Sequence, residues 1–335
     1  MLLSCAATAV LGLVVLPLVV APLATPVGAT TAAGQIVTVQ TTAAGSTTGR
    51  LDLWRRNADG SYSHAAGPFG AHVGELGIGT AHEGIARTPA GVYGLTQAFG
   101  NQPNWGGKLP YFQANQADWW DGESGTKAYN THLHQAASPG PASENLYTAG
   151  EVYSHAVVID YNRFPVVAGA GSAFFLHVTN RQPTAGCVAI AAHDLHTVML
   201  WLDPTQHPVI SIGVGSQATA PITSANAAAH NPMGYLDAVN ISGRTAKVVG
   251  WAADPDGTSS QLQIEVYFNG VLRGRTTTGV ARPDVAKAKH VGPNQGYSLD
   301  FATVTPGRRT ICVNAVNIKL GTGNTQLGCL TVTVH

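Results

Sequence analysis

The most informative stretch of this chain is residues 172–190, which read SAFFLHVTNRQPTAGCVAI. Its first part, Ser172 to Thr179, is an apolar run with aromatic and β-branched residues, and it predicts a buried strand. His177 lies near the end of this strand, and a polar loop follows. Cys187 comes directly after Gly186, whose backbone freedom lets the loop bend and direct N–H groups to one place. A strand-end imidazole close to a loop thiol predicts a nucleophilic Cys–His site in which the histidine lowers the pKa of the thiol.

The distribution of the cysteines sets Cys187 apart from the others. The chain has four cysteines. Cys312 and Cys329 lie in two strand-like runs and are predicted to form a disulfide across a hairpin, as an oxidising compartment allows. Cys5 lies in the N-terminal segment. Cys187 is therefore left unpaired, as a reactive thiol, an intermolecular bridge or an inert core residue. Burial is the ordinary state of a free cysteine, and the flanking residues favour the reactive thiol.

These flanking residues resemble the L,D-transpeptidase (YkuD-type) catalytic domain of bacterial cell-wall enzymes. Thr184 to Val188, TAGCV, is similar to the family's [Ser/Thr]-x-Gly-Cys-[Val/Ile] signature, and His177 lies upstream as the family requires. Arg87 to Tyr93, RTPAGVY, resembles the family's Thr-Pro-x-Gly-x-[Tyr/Phe] segment. The resemblance covers roughly residues 50–215 and implies a YkuD-like β-sandwich catalytic domain.

The resemblance implies two-step acyl transfer on peptidoglycan stem peptides, without a metal or a diffusible cofactor. The Cys187 thiolate attacks the carbonyl between a diamino acid and a terminal D-Ala, and a neighbouring stem peptide then takes the acyl group. His177 transfers the protons of the amines, and the Val178 carbonyl orients its ring. Backbone N–H groups near Gly186 and Cys187 hold the oxyanion. The Thr184 hydroxyl assists the leaving group or the acceptor, and carbapenem-type β-lactams are expected inhibitors.

Other side chains are candidates for substrate binding. Trp119-Trp120-Asp121 and Tyr129-Asn130 resemble an exported actinobacterial-type subgroup of the family. Trp119 and Trp120 line a substrate cleft or pack in the core, and the sequence leaves both interpretations open. His155 is a further candidate for the pocket, with a structural role as its alternative. His193 and His196 fall at the start of a predicted helix near a single thiol, so we expect no metal site.

Two departures from the family keep other functions open. The family usually has Arg two residues after the nucleophile, where this chain has Ala189. The loop between His177 and Cys187 is also shorter than in the best-studied members. These differences leave a hydrolase, with water as the acceptor, as one alternative. A non-catalytic wall-binding surface protein is the second.

Composition limits the possible functions further. The chain has 335 residues, of which 44% are apolar and 11% are charged, and its formal net charge is zero. The apolar fraction excludes an intrinsically disordered chain. The scarcity of basic side chains argues against nucleic acid or an anionic membrane surface as a partner.

The N-terminal segment predicts export. No charged side chain precedes Arg50, and residues 6–24 are almost all apolar. Prolines interrupt this run, whereas a membrane anchor needs ~20 uninterrupted apolar residues. Residues 1–33 therefore favour a signal peptide cleaved between Ala29 and Ala33, although no basic residue precedes the run and retention as an anchor stays open. We expect a secreted or cell-envelope protein without a stable membrane span after processing.

Sequence patterning divides the rest of the chain into three parts. A catalytic domain spans 34–215, a linker poor in bulky apolar residues spans 216–232, and an immunoglobulin-like β-sandwich spans 233–335. The fold is predicted to be mainly β, with one helix from His193 to Leu202. Asn269-Gly270 predicts a two-residue hairpin turn. The other predicted strands are residues 35–40, 152–161, 208–213, 247–252, 262–268, 296–301, 310–316 and 327–334.

Overall fold

The structure is a computed structural model that describes residues 32–259, 261–302 and 305–335. The predicted export segment, apart from its last two residues, and Cys5 lie outside the described residues. The chain is mainly β, as predicted. No helix within the described residues is long and apolar enough to cross a membrane.

The N-terminal unit, residues 34–215, is built on a sheet of ten strands in the order β6-β15-β1-β2-β3-β14-β13-β12-β7-β8. A separate sheet of three strands has the order β10-β9-β11, and β4 pairs with β5. The strands are β1 Gln35–Thr41, β2 Thr48–Arg56, β3 Tyr62–His72, β4 Ile78–Gly79, β5 Thr88–Pro89, β6 Gly91–Gly94, β7 Ala98–Gly100, β8 Tyr111–Gln113, β9 Asp118–Trp120, β10 His132–His134, β11 Glu144–Asn145, β12 Ala156–Val158, β13 Phe175–Val178, β14 Val188–Ile190 and β15 Val209–Val214.

The predicted helix is present as α1, Ala192–Trp201. Its three- and four-residue spacing of apolar side chains places Leu195, Val198 and Met199 in the main core, where all three are buried. The helix directly follows β14, the strand that begins after Cys187, and it covers one face of the sheet there.

The parallel pairing of β13 with β14 positions the candidate site. Leu176 pairs with Val188, and both are in the main core on one face of the sheet. Because side chains alternate between faces along a strand, Phe175 and His177 lie on the opposite face. Phe175 and Cys187 share a second, smaller core on that face with Trp120. The nucleophile candidate and His177 therefore belong to the same side of the sheet.

Two segments differ from the sequence predictions. The strand predicted over 152–161 is only β12, because Gly150–Tyr153 forms a 3₁₀ turn before it. The segment predicted as a linker, 216–232, is instead largely helical as α2, Ser216–Ala228. Alanine-rich sequence forms a helix readily. Ala218 and Ile222 are buried, Ala225 packs beside Ile222, and Asn226 bonds to the Tyr62 backbone, so the helix docks on the N-terminal unit.

The C-terminal unit, residues 233–335, is a β-sandwich of two sheets, β16-β17-β20 and β19-β18-β21-β22. The first, second and fifth of its strands thus form one sheet and the others form the second, with apolar side chains of both sheets in a common core. Its elements are β16 Met233–Ser242, β17 Thr245–Ala253, β18 Gln263–Phe268, β19 Val271–Thr277, α3 Pro283–Lys289, β20 Gly296–Ala302, β21 Gly307–Ala315 and β22 Thr325–Val334.

Two local predictions for this unit are confirmed. Asn269 and Gly270 have φ angles of 50° and 79° and connect β18 to β19 as a hairpin. Two positive φ angles are what the predicted two-residue turn requires. Cys312 and Cys329 face each other across β21 and β22 and form a disulfide.

Candidate active site

Cys187 lies at the wall of a cleft of about 460 Å³. Its side chain is nearly buried, with 8% exposure. The Phe175 N–H donates to Sγ at 3.4 Å, and the thiol lies 3.4 Å from the Ala173 carbonyl oxygen, to which it can donate. The sulfur is thus held against the start of β13 while one side of the residue opens on the cleft.

Two threonine hydroxyls fix the backbone of Cys187. Thr184 Oγ1 donates to the Cys187 carbonyl at 2.7 Å, and Thr88 Oγ1 donates to the same oxygen at 3.2 Å. Each hydroxyl also accepts a backbone N–H, from Gly186 at 3.1 Å and from Gly74 at 2.8 Å respectively. Thr88 belongs to RTPAGVY and Thr184 to TAGCV, so the two segments noted in the sequence meet at one carbonyl group.

This geometry corrects the predicted role of Thr184. Its buried hydroxyl is bonded to the Cys187 carbonyl and the Gly186 N–H within the loop, so it does not reach toward a leaving group or an acceptor. The predicted role of Gly186 as an oxyanion donor is also corrected, because its N–H already binds Thr184 Oγ1. Gly186 is needed for its conformation: its φ is +146°, and a Cβ there would lie 2.7 Å from the Phe174 ring.

The thiol does not rest as a thiolate. Burial and, to a smaller extent, the Glu144 carboxylate raise the pKa of Cys187 to about 12, although the Phe175 N–H and the Tyr153 side chain act in the opposite direction. The expectation that an imidazole lowers the thiol pKa is therefore wrong for this state of the protein. An unpaired negative charge is costly in so enclosed a site, so the proton must leave as the nucleophile reacts.

His177 is buried and neutral near neutral pH. Burial lowers the pKa of the imidazole to about 4, and the hydrogen bond to Val178 raises it only in part. Nδ1 lies 2.9 Å from the Val178 carbonyl oxygen. Because a carbonyl only accepts, Nδ1 carries the proton in the neutral ring and the lone pair is at Nε2. The contact predicted between Val178 and His177 is present.

Tyr153 links the two candidate catalytic residues. Its ring is edge-on to His177, with centroids 5.3 Å apart, and its hydroxyl interacts with the Cys187 side chain. His177 itself is not among the residues that line the cleft. The structure therefore brings Cys187 and His177 to one tyrosine rather than to a shared surface.

Glu144 completes this cluster. The Tyr153 hydroxyl donates to Glu144 Oε1 at 2.8 Å. Burial raises the pKa of the carboxyl group, an effect that the tyrosine bond opposes. Glu144 is carried by β11, which pairs with β9. Sequence reasoning missed both Tyr153 and Glu144; the available signal was a carboxylate two residues before an apolar residue, Leu146, in a chain with few charges.

The tryptophans predicted to bind substrate do not line the cleft. Trp120 is 1% exposed, packs edge-on against Phe175 and donates from Nε1 to Asn130. Trp119, on the other face of β9, donates from Nε1 to the Gln135 carbonyl. Trp120 therefore belongs to the core beneath the site.

His155 is likewise structural rather than substrate-binding. It is 2% exposed, its ring stacks on Trp105 with centroids 3.4 Å apart, and Nε2 lies 2.8 Å from the Pro103 carbonyl oxygen. It does not line the Cys187 cleft. Its function is to anchor the 103–105 segment on β12.

The cleft has an acidic character. Glu83 and Glu144 line it together with His82, and no lysine or arginine is among its lining residues. Ala189, where the resembled family usually has Arg, is buried in β14 between His177 and His72 of the neighbouring strands. The cleft thus lacks the cation that the family usually has near its nucleophile.

Comparisons with known proteins give no functional assignment. No protein-family model matches the sequence. No curated protein matches it either. Among solved structures, the chain is similar to the CARDB domain of the PF1109 protein from Pyrococcus furiosus, solved in complex with di-metal ions, at 15% identity over 31% of this chain and 88% of that domain chain. The TM-score is 0.17, so this likeness carries no argument.

Proposed function

We propose that this protein is a cysteine-dependent L,D-transpeptidase that acts on peptidoglycan stem peptides in the cell envelope. The observation that carries the proposal is the Cys187 carbonyl held by Thr88 and Thr184, because it joins both resembled motifs around a thiol at a cleft wall. His177 supports it as a neutral imidazole on the same face of the sheet as the thiol, with Nδ1 held by the Val178 carbonyl.

In the first step the Cys187 sulfur attacks the carbonyl carbon that precedes the terminal D-Ala, and an S–C bond forms. The Cys187 N–H is the loop donor available to the oxyanion, since the Gly186 N–H is bound to Thr184. When the intermediate collapses, the C–N bond breaks, and the D-Ala amine leaves with the proton that the Cys187 thiol lost as its S–H bond broke. A thioester on Cys187 remains.

In the second step the amine of a neighbouring stem peptide attacks the thioester. The S–C bond breaks, the proton that this amine gives up restores the Cys187 thiol, and a peptide cross-link forms. The step consumes no cofactor.

A specific feature favours hydrolysis as a second candidate function. Ala189 leaves the cleft without the family's arginine, so a bound acceptor peptide has one cationic contact fewer and water can compete for the thioester. The nucleophile and the acyl-enzyme are the same in both candidates.

Product analysis with a disaccharide-tetrapeptide separates the candidates. A transpeptidase yields cross-linked dimer and free D-Ala, a hydrolase yields the trimmed monomer and free D-Ala, and a non-catalytic wall protein yields neither. Cys187→Ala is the matched control and abolishes either product. Failure of the wild type to release D-Ala contradicts the proposal.

A further inference from the structure

The thiol of Cys187 needs a proton acceptor that the resembled motifs do not supply. Its surroundings favour the neutral thiol, as does the carboxylate of Glu144 nearby. His177 is buried and is not part of the cleft wall. Two other groups, Tyr153 and Glu144, line the cleft together with Cys187.

The Tyr153 hydroxyl has the orientation of a relay. Its single proton is donated to Glu144 Oε1 at 2.8 Å. Tyr153 and Cys187 belong to the same small core and line the same cleft. The hydroxyl oxygen keeps lone pairs that can accept from the Cys187 thiol when the thiol turns away from the Ala173 carbonyl, to which it donates at rest. The ring is fixed by edge-on contacts to Phe99 and Phe175, with centroids 5.6 Å and 5.5 Å away.

Glu144 has the properties of a terminal base. It is held by pairing of β11 with β9 opposite Trp120. Burial raises the pKa of its carboxyl group, which brings its basicity closer to that of a useful general base. While Glu144 is ionised, its negative charge opposes formation of a second negative charge on Cys187. When Glu144 instead accepts the thiol proton, the two side chains together still carry one negative charge, so the carboxylate promotes formation of the thiolate.

We propose that Tyr153 and Glu144 form the proton relay that activates Cys187. The Cys187 S–H bond breaks and its proton passes to Tyr153 Oη, while the Tyr153 proton passes to Glu144 Oε1. The electron pair stays on sulfur and forms the new S–C bond. The relay rests on the proposed function for its use in acyl transfer, but activation of the thiol is testable without any peptide.

The two possible effects of Glu144 predict opposite results for Glu144→Gln. Loss of a base slows the reaction of Cys187, whereas loss of a repelling charge speeds it. Glutamine keeps an acceptor oxygen for Tyr153, so the packing of the site is preserved. Tyr153→Phe keeps the ring and removes only the hydroxyl.

The experiment measures the rate of Cys187 alkylation by iodoacetamide near neutral pH, followed by intact mass. In this reaction an S–C bond forms, the C–I bond breaks and iodide leaves, while the relay takes the thiol proton. We expect Glu144→Gln and Tyr153→Phe each to slow it at least about tenfold, a conservative threshold below the ~10²–10⁴-fold typical of general-base effects. Two matched controls should keep the wild-type rate: Tyr111→Phe, whose hydroxyl donates to Gln102, and Glu151→Gln, which is exposed.

An unchanged or faster rate in Glu144→Gln overturns the relay, as does an unchanged rate in Tyr153→Phe. Circular dichroism of each variant checks that it is folded, and the glutamine variant alone decides the question if the phenylalanine variant unfolds. A wild type that alkylates with the expected dependence on Glu144 but releases no D-Ala refutes the proposed function and leaves the relay standing.

Discussion

Replacing Thr184 by valine tests how the nucleophile loop is held. The substitution preserves shape but removes the donor at 2.7 Å from the Cys187 carbonyl and the acceptor at 3.1 Å from the Gly186 N–H. A buried N–H left without a partner costs about 1–3 kcal/mol. We expect the free energy of unfolding of the N-terminal unit to fall by that amount, and Thr88→Val to act similarly because it orphans the Gly74 N–H.

The double variant is the stringent case. Each single variant leaves the Cys187 carbonyl with one threonine donor, whereas the double variant removes both, so the two effects should not add. We expect a coupling free energy of at least about 0.5 kcal/mol, the range for residues that share a partner. Urea unfolding followed by tryptophan fluorescence measures it, because five of the six tryptophans precede residue 216.

Exposed Thr148 provides the control, since Thr148→Val should leave the unfolding free energy unchanged. The reasoning is refuted if Thr184→Val costs less than about 0.5 kcal/mol. It is equally refuted if the effects of the Thr88 and Thr184 substitutions are simply additive.

Three further predictions concern conformation, pH and the disulfide. Gly186→Ala, with φ +146° and its Cβ against a phenylalanine ring, should cost about 1–3 kcal/mol and slow acylation, whereas Gly45→Ala, which meets nothing within 4 Å, should do neither. Because the pKa of His177 falls to about 4 in the folded protein, the unfolded chain binds more protons between about pH 6.5 and 4. Unfolding free energy should therefore decrease as pH falls through that window, by up to about 3 kcal/mol, and His177→Asn should flatten this slope; an unchanged slope contradicts a neutral buried imidazole. Reduction of Cys312–Cys329, which are 17 residues apart, should lower the stability of the C-terminal unit by about 3 kcal/mol without changing the alkylation rate of the thiol in the N-terminal unit; calorimetry with and without reductant measures the first part, and a changed rate would contradict the second.

Local patterns explain how much of the fold the sequence predicts. The spacing of Leu195, Val198 and Met199 predicts α1 because a helix turns every 3.6 residues. Asn269-Gly270 predicts its hairpin because those residues adopt positive φ at low cost. The sequence predicts a linker over 216–232 because a helix whose buried side chains are only small residues and one isoleucine resembles, in composition, a linker.

The candidate site shows where such patterns stop. Cys187 and His177 are ten residues apart, and parallel strand pairing brings them to one face. Tyr153 and Glu144 reach the thiol through separate segments and the pairing of β11 with β9, contacts that no local periodicity encodes. The raised pKa of the Cys187 thiol is likewise a property of packing. The motif alone therefore predicts a lowered pKa, which is the wrong direction.

The most direct test of the central claim is the reaction of the full chain with a carbapenem, followed by intact mass and peptide mapping. The account predicts one covalent adduct on the peptide that contains Cys187, and its complete loss in Cys187→Ala. A folded wild type that forms no adduct, or an adduct that persists in Cys187→Ala, would contradict a nucleophilic role for this thiol.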